Sequence, residues 1–391
     1  PAAIFGVASI AGLVWFGRII TSQLEAFAAA ALLTFSYHHV WFSQNARGYT
    51  GLLLCALVAS GLLVKMATTA QSRWPLAIGY AVTMALATLI HPTAALIVAG
   101  HAVWWAVLAI RNRGNLIWPA AWLPLAAFGL AGLIALLIYA PALGDLRTAL
   151  LAPDRGGVTL QWKNPAWFAT ETLRGLRRGL PGGWLALAAA AIVTTIGLTS
   201  YARRSAAIAW LMVLPAAVTA VALLASGQNL WPRFFFFAAG FAALIVVRGL
   251  FFAAERVWPT RATALGAVAT TVLVLASATT VPKAWNPKQD YFGARKFVER
   301  SSRPGDAIVT VDMTALPQSE YQGPNWLVAA DRDRLAEIER AHSRTWVLVT
   351  FRLRLASIQP EMWDYLQRHY VKAAEFPGTV AGGEIIVMVN R

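Results

Sequence analysis

The chain has 391 residues, 58% hydrophobic and only 13% charged, with 33 Lys and Arg against 18 Asp and Glu and a formal net charge of +15. So little charge cannot solvate a water-soluble protein of this size, and the solvent for most of the chain must be lipid. The basic residues are scattered over short loops rather than gathered on one face with stacking aromatics, which argues against a nucleic-acid partner.

Apolar runs long enough to match the hydrocarbon core of a bilayer recur about ten times before residue 282. In chain order they cover 1–20, 23–42, 50–66, 75–91, 93–110, 118–140, 183–200, 206–226, 231–251 and 261–281. Each is predicted to be helical, because backbone amides find no other partner in lipid. The sequence opens at Pro1 inside a run already under way, without Met or a secretory signal, so a preceding segment is expected. The single Cys55 lies in an apolar run and reads as a small buried hydrophobe.

Arg18, Lys65, Arg73, Arg111, Arg113, Arg203, Arg204, Arg248, Arg256 and Arg261 fall in alternate loops. The positive-inside rule places those loops in the cytoplasm. Loops 37–51, 91–92, 140–181 and 227–233 then face outward, together with everything after about residue 282. Within the long loop, "NPAWFATETLRGLRRGLPGG" suits a headgroup-layer helix, with Trp167, Phe168, Leu173, Leu176 and Leu180 apolar and Arg174, Arg177 and Arg178 charged. It reads either as a membrane-hugging connector or as a helper that holds an anionic lipid head.

From Pro282 charges become frequent and the apolar runs shrink to strand length. The division is therefore a transmembrane region, 1–281, and a small soluble α/β domain, 282–391. Helices are predicted in "YFGARKFVERSSRPGD", "DRDRLAEIERAH" and "PEMWDYLQRHY", and strands in "AIVTVDM", "TWVLVTF" and "GEIIVMVNR". No phosphate-cradling glycine loop, metal-spaced cluster or nucleophile elbow is legible there.

The chemistry concentrates in "YHHVWFSQNARGYTG". Polar groups at membrane depth are costly and usually line a cavity or pair with one another. Arg47 offers a permanently charged planar fork suited to phosphate, and His38, His39, Ser43, Gln44, Asn45 and Tyr49 can add hydrogen bonds around the same ligand. Taken singly each has a plainer role: Trp41 and Tyr49 as interface anchors, Arg47 as a snorkelling side chain, the histidine pair as structure.

"WFSQNARGYTGLLL" resembles the Ser-Gln-x-Ala-Arg-x-Tyr signature of bacterial membrane glycosyltransferases of the protein O-mannosyltransferase-like family (glycosyltransferase family 39), which have the GT-C fold. "HPTAALIVAGHAVWW" resembles that family's His/Thr-containing outer turn, "WPRFFFFAAG" its Pro-Arg-Tyr segment, and "PKQDYFGARKFVERSSRPGDAIV" the start of its outer domain. Asn45 stands where an acidic residue is common, and Phe234 where Tyr is frequent.

The resemblance implies a polytopic α-helical membrane protein in a bacterial plasma membrane, with an extracytoplasmic C-terminal α/β domain. It implies transfer, with inversion, of a sugar from a polyprenyl-phosphate donor to a protein, lipid or glycan acceptor. Arg47, Gln44, Ser43, Tyr49, His39, His91 and Arg233 become the substrate-binding candidates. The catalytic general base belongs to a first outer loop expected upstream of Pro1, because Glu25 lies on the cytoplasmic side and Asp145, Asp154 and Glu171 read as solvated loop charges. No cofactor is assigned, and a divalent metal stays open, since architectures of this kind differ on it. The competing readings are a lipid or sugar-lipid flippase, for which no repeated halves are visible, and a membrane-anchored scaffold.

Overall fold

The computed structural model describes residues 1–68, 73–111, 122–145, 148, 160–317 and 326–390. The chain divides into two compact units, one ending at Ala284 and one running on from Trp285.

The first unit is helical: α1 (Ala2–Ile20), α2 (Gln23–Thr34), α3 (Tyr37–Ser43), α4 (Tyr49–Thr68), α5 (Trp74–Ile90), α6 (Ala94–Arg111), α7 (Leu123–Tyr139), α8 (Pro165–Arg178), α9 (Gly183–Arg204), α10 (Ala206–Ala225), α11 (Ala239–Val257) and α12 (Ala262–Ala278). Among the described residues eight helical stretches are long and apolar enough to cross a membrane, and two apolar helices, Gln23–Thr34 and Trp74–Ile90, are shorter. This is the pattern of a multi-pass helical membrane protein. The buried centre is α4, whose small and branched side chains meet α1, α5 and the segment before α11.

The run 23–42, expected as one span, is broken: α2 stops at Thr34 and α3 starts after Ser36. A helix end inside the protein leaves carbonyls without partners. Here the Ser277 hydroxyl of α12 donates to the Phe35 carbonyl at 2.9 Å, so the break is satisfied from a neighbouring helix. The run 231–251 differs as well. It opens with a tighter 3-10 stretch, Pro232–Ala238, and its α-helix continues to Val257.

That extension corrects the placement of Arg248, read above as a loop charge. It lies inside α11 and is 1% exposed, with Nη1 donating to Glu25 at 2.7 Å, Nη2 to Glu255 at 2.8 Å and Nε to the Ser200 hydroxyl at 2.8 Å. Around it α9 and α11 touch backbone to backbone. A Cβ at Gly197 would fall 1.9 Å from the Ile245 carbonyl oxygen, and one at Gly249 would fall 2.1 Å from that of Val193. Glycine alone permits this approach, which replaces hydrophobic driving force between helices in lipid with close packing.

Among the described residues the second unit forms a five-stranded mixed sheet: β1 (Ala307–Val311), β2 (Leu327–Ala329), β3 (Thr345–Val349), β4 (Tyr370–Phe376) and β5 (Ile385–Asn390), in the order β2-β1-β3-β5-β4. β1 runs parallel to β2 and β3, and β5 antiparallel to β3 and β4. Alternation along the strands separates two faces. Trp346, Leu348, Ile385 and Val387 pack with Ala294 and Val298 of α13 (Tyr291–Ser301). Val347, Val349, Ile386 and Met388 pack instead with Leu335 and Ile338 of α14 (Arg332–Ala341) and with Met362 and Leu366 of α16 (Pro360–His369), which follows α15 (Arg352–Ile358).

Candidate functional site

The loop after α3 carries Arg47, and Gly48 pins it in place. A Cβ at Gly48 would lie 2.2 Å from Ile90 Cγ2 and 2.8 Å from the Ile90 carbonyl oxygen, so the loop lies directly on the end of α5, next to His91. Tyr49 follows and is buried, its ring 5.2 Å from Phe42 and 5.4 Å from His91. The row continues through Phe234, 5.3 Å from His91, and Phe42 closes it against Phe236 at 4.2 Å. Sequence-distant segments 42–49, 91–93 and 231–236 therefore form one wall.

His91 has a defined hydrogen-bonding state. Its Nδ1 accepts from the Thr93 hydroxyl at 2.7 Å and from the Thr93 backbone N–H at 3.3 Å. The proton of the neutral ring then sits on Nε2, which leaves an N–H donor for a ligand. Burial lowers the imidazole pKa, and the Arg233 charge lowers it further, so both favour the neutral ring.

Arg233 lies with its guanidinium 4.4 Å from the centre of the Trp231 ring and 5.8 Å from that of Phe234. It is close enough to feel the like charge of Arg47. Its buried Nε has no hydrogen-bond partner among the described residues. Among the described residues neither Arg47 nor Arg233 has a carboxylate within ion-pair distance. Two neighbouring guanidinium groups, an imidazole N–H and a tyrosine make a site with donors in excess and positive charge, which fits an anion with several oxygens.

Four of the seven candidates, Arg47, Tyr49, His91 and Arg233, are thus brought together. The others are engaged elsewhere or border the wall. His39 is buried and meets Ser9 Oγ at 3.0 Å; because that hydroxyl already donates to the Gly6 carbonyl at 2.7 Å, the imidazole is the donor. Ser43 Oγ donates to the His39 carbonyl at 2.7 Å. Gln44 is exposed at the end of α3 and has an interaction partner.

The amphipathic helix α8 forms as expected, opened by Asn164, whose side chain accepts from the Ala166 N–H at 2.8 Å. Trp167 packs on Trp231 at 5.6 Å and Phe168 on Phe235 at 5.0 Å, so its first turn rests against the Arg233 segment. Its last turn meets α3, where His38 Nε2 donates to the Gly175 carbonyl at 2.9 Å. Leu173 and Leu176 are exposed. Its arginines have other partners: Arg174 pairs with Glu171 at 2.7 Å, and Arg177 lies 4.9 Å from the Trp184 ring. Support for Arg47 therefore comes from Arg233. Glu171 is accounted for by Arg174, Asp145 is exposed, and Asp154 lies outside the described residues.

The roles of Thr93 and Gly48 were not anticipated. The hydroxyl two residues after His91 in "HPT" was the available signal for the first, and the glycine between Arg47 and Tyr49 for the second. Among the described residues no three His, Cys, Asp or Glu side chains gather as metal ligands. No protein-family model matches the chain, and comparison with curated proteins finds no relative.

Proposed function

We propose that the chain is a membrane glycosyltransferase of the GT-C type, similar to protein O-mannosyltransferase-like enzymes, and that the Arg47–Arg233 wall holds the phosphate of a polyprenyl-phosphate sugar. The observation that carries this reading is the pair of guanidinium groups on one wall that have no carboxylate partner among the described residues, one with a buried Nε that also lacks a partner there. Arg47 is exposed and Arg233 is half-buried, so both can meet a lipid-borne phosphate at the surface, and that phosphate supplies the counter-charge that no described carboxylate gives them.

In the reaction the bond between the sugar's anomeric carbon and the phosphate oxygen breaks, with its electron pair leaving on the phosphate. An acceptor hydroxyl forms the new bond from the opposite face, which inverts the carbon, and gives its proton to a base outside the residues assigned to this wall. The two arginines favour departure because the phosphate gains negative charge as the bond breaks, and fixed donors aimed at developing charge lower the barrier. His91 and Tyr49 add neutral hydrogen bonds.

In this reading the two shorter apolar helices also cross, α2 continued by α3, which gives ten crossings. The membrane is the bacterial plasma membrane, and the Arg47 end faces outward. A radiolabelled polyprenyl-phosphate sugar, given to the intact protein in liposomes with a cell-envelope acceptor fraction, tests the proposal. Label passing to acceptor with release of polyprenyl phosphate is expected. Movement of the lipid across the bilayer without cleavage would make the protein a flippase and overturn the reading.

A further inference from the structure

A second charged feature lies on the first unit, away from Arg47, where α1, α2 and α4 leave a groove of about 580 Å³ lined by Ala11, Val14, Trp15, Arg18, Phe27 and Lys65, among others. Its floor is built: a Cβ at Gly61 would lie 2.2 Å from the Trp15 ring, so the indole is seated on that glycine, and Lys65 Nζ lies 4.9 Å from the ring centre. Arg18 and Lys65 close the last turns of α1 and α4. Among the described residues neither has an acidic partner. Both side chains are exposed, and so is Phe27.

We propose that this groove binds one anionic phospholipid. The phosphate and its anionic head lie between Arg18 and Lys65, and an acyl chain runs along Ala11, Val14 and Phe27. The charge complementarity is direct. Two cations at helix ends, with no counter-charge among the described residues, stand at the mouth of an apolar slot that runs back along the same helices, and basic pockets between membrane helices recognise anionic heads in this way. Ordinary snorkelling would place the same two heads in the interface, but it would not make a single site or prefer one lipid class. The inference does not depend on the glycosyltransfer reading, because none of its residues belongs to the Arg47 wall.

Native mass spectrometry of the intact protein, incubated in detergent with phosphatidylglycerol or with phosphatidylcholine, tests it. One phosphatidylglycerol is expected to be retained per chain in preference to phosphatidylcholine. R18Q/K65Q is expected to reduce retention about tenfold or more. Ala11 is exposed, so A11W should fill the slot without disturbing the fold and lower retention with both charges intact. R203Q, which removes a basic residue outside the groove, should retain the lipid. Undiminished retention in R18Q/K65Q or in A11W overturns the proposal. Equal retention of phosphatidylcholine, or displacement of the lipid by millimolar glycerol phosphate, overturns it as well.

Discussion

Arg248 Nη1 donates to the Glu25 carboxylate at 2.7 Å, with the two side chains 1% and 5% exposed. This pair ties the start of α2 to the middle of α11, the helix that follows the Arg233 segment. Deleting one partner of a buried pair leaves the other charge uncompensated, which costs roughly 3–5 kcal/mol. Arg248→Met should therefore lower the thermal midpoint in detergent sharply, and Arg248→Met with Glu25→Gln should recover part of the loss. Equal midpoints for wild type and Arg248→Met would refute this role.

Gly48 gives a prediction about position rather than stability. Gly48→Ala puts a methyl group against Ile90 and must lift the Arg47 loop from the His91 turn. Misplacement of about 1 Å can cost about 10²-fold in rate, so sugar transfer should fall by that order while the thermal midpoint changes little. Gly129→Ala is the control, because nothing lies within 4 Å of a Cβ there. Matching rates in the two variants would show that the loop does not position Arg47.

Much of the helical unit was legible because hydropathy and length report directly on burial in lipid. What the pattern could not show was the depth of single charges. Arg248 follows "AALIVV" and looks like the end of a span, yet three partners hold it inside a longer helix. His39 and His91 also look alike in sequence. Ser9 takes the first into the interior, whereas Thr93 fixes the second with a donor to spare. In the sheet, β1, β3 and β5 stood out as β-branched runs. β2 is only three residues long, and β4 is an edge strand that carries Lys372 and Glu375, so neither had the apolar signal of a buried strand.

The second unit carries a pH-dependent contact. Asp306 is held down to about 2, first by the Arg344 hydrogen bond, against the opposing effect of burial, with the Arg303 N–H and the Trp346 Nε1–H helping. A carboxyl depressed in the folded state stabilises it above the unfolded value near 3.8, and that contribution is lost as pH falls toward 2. Hydrogen exchange of the β1 and β3 amides, corrected for intrinsic rates, should stay constant down to about pH 4 and accelerate below it. Asp306→Asn should show faster exchange already at pH 6 and a flatter profile. Identical profiles would remove Asp306 from the stability of the sheet.

The wall around Arg233 is tested most directly by turnover of a polyprenyl-phosphate sugar by the intact protein carrying Arg47→Ala together with Arg233→Ala, beside the double Lys variant. Losing a donor aimed at developing charge typically costs 10²–10³-fold in kcat. The double Ala variant should therefore fall by at least about 100-fold with an unchanged thermal midpoint, and the double Lys variant should keep part of the rate because charge remains without the planar fork. Undiminished turnover in the double Ala variant would contradict a phosphate held between these two guanidinium groups.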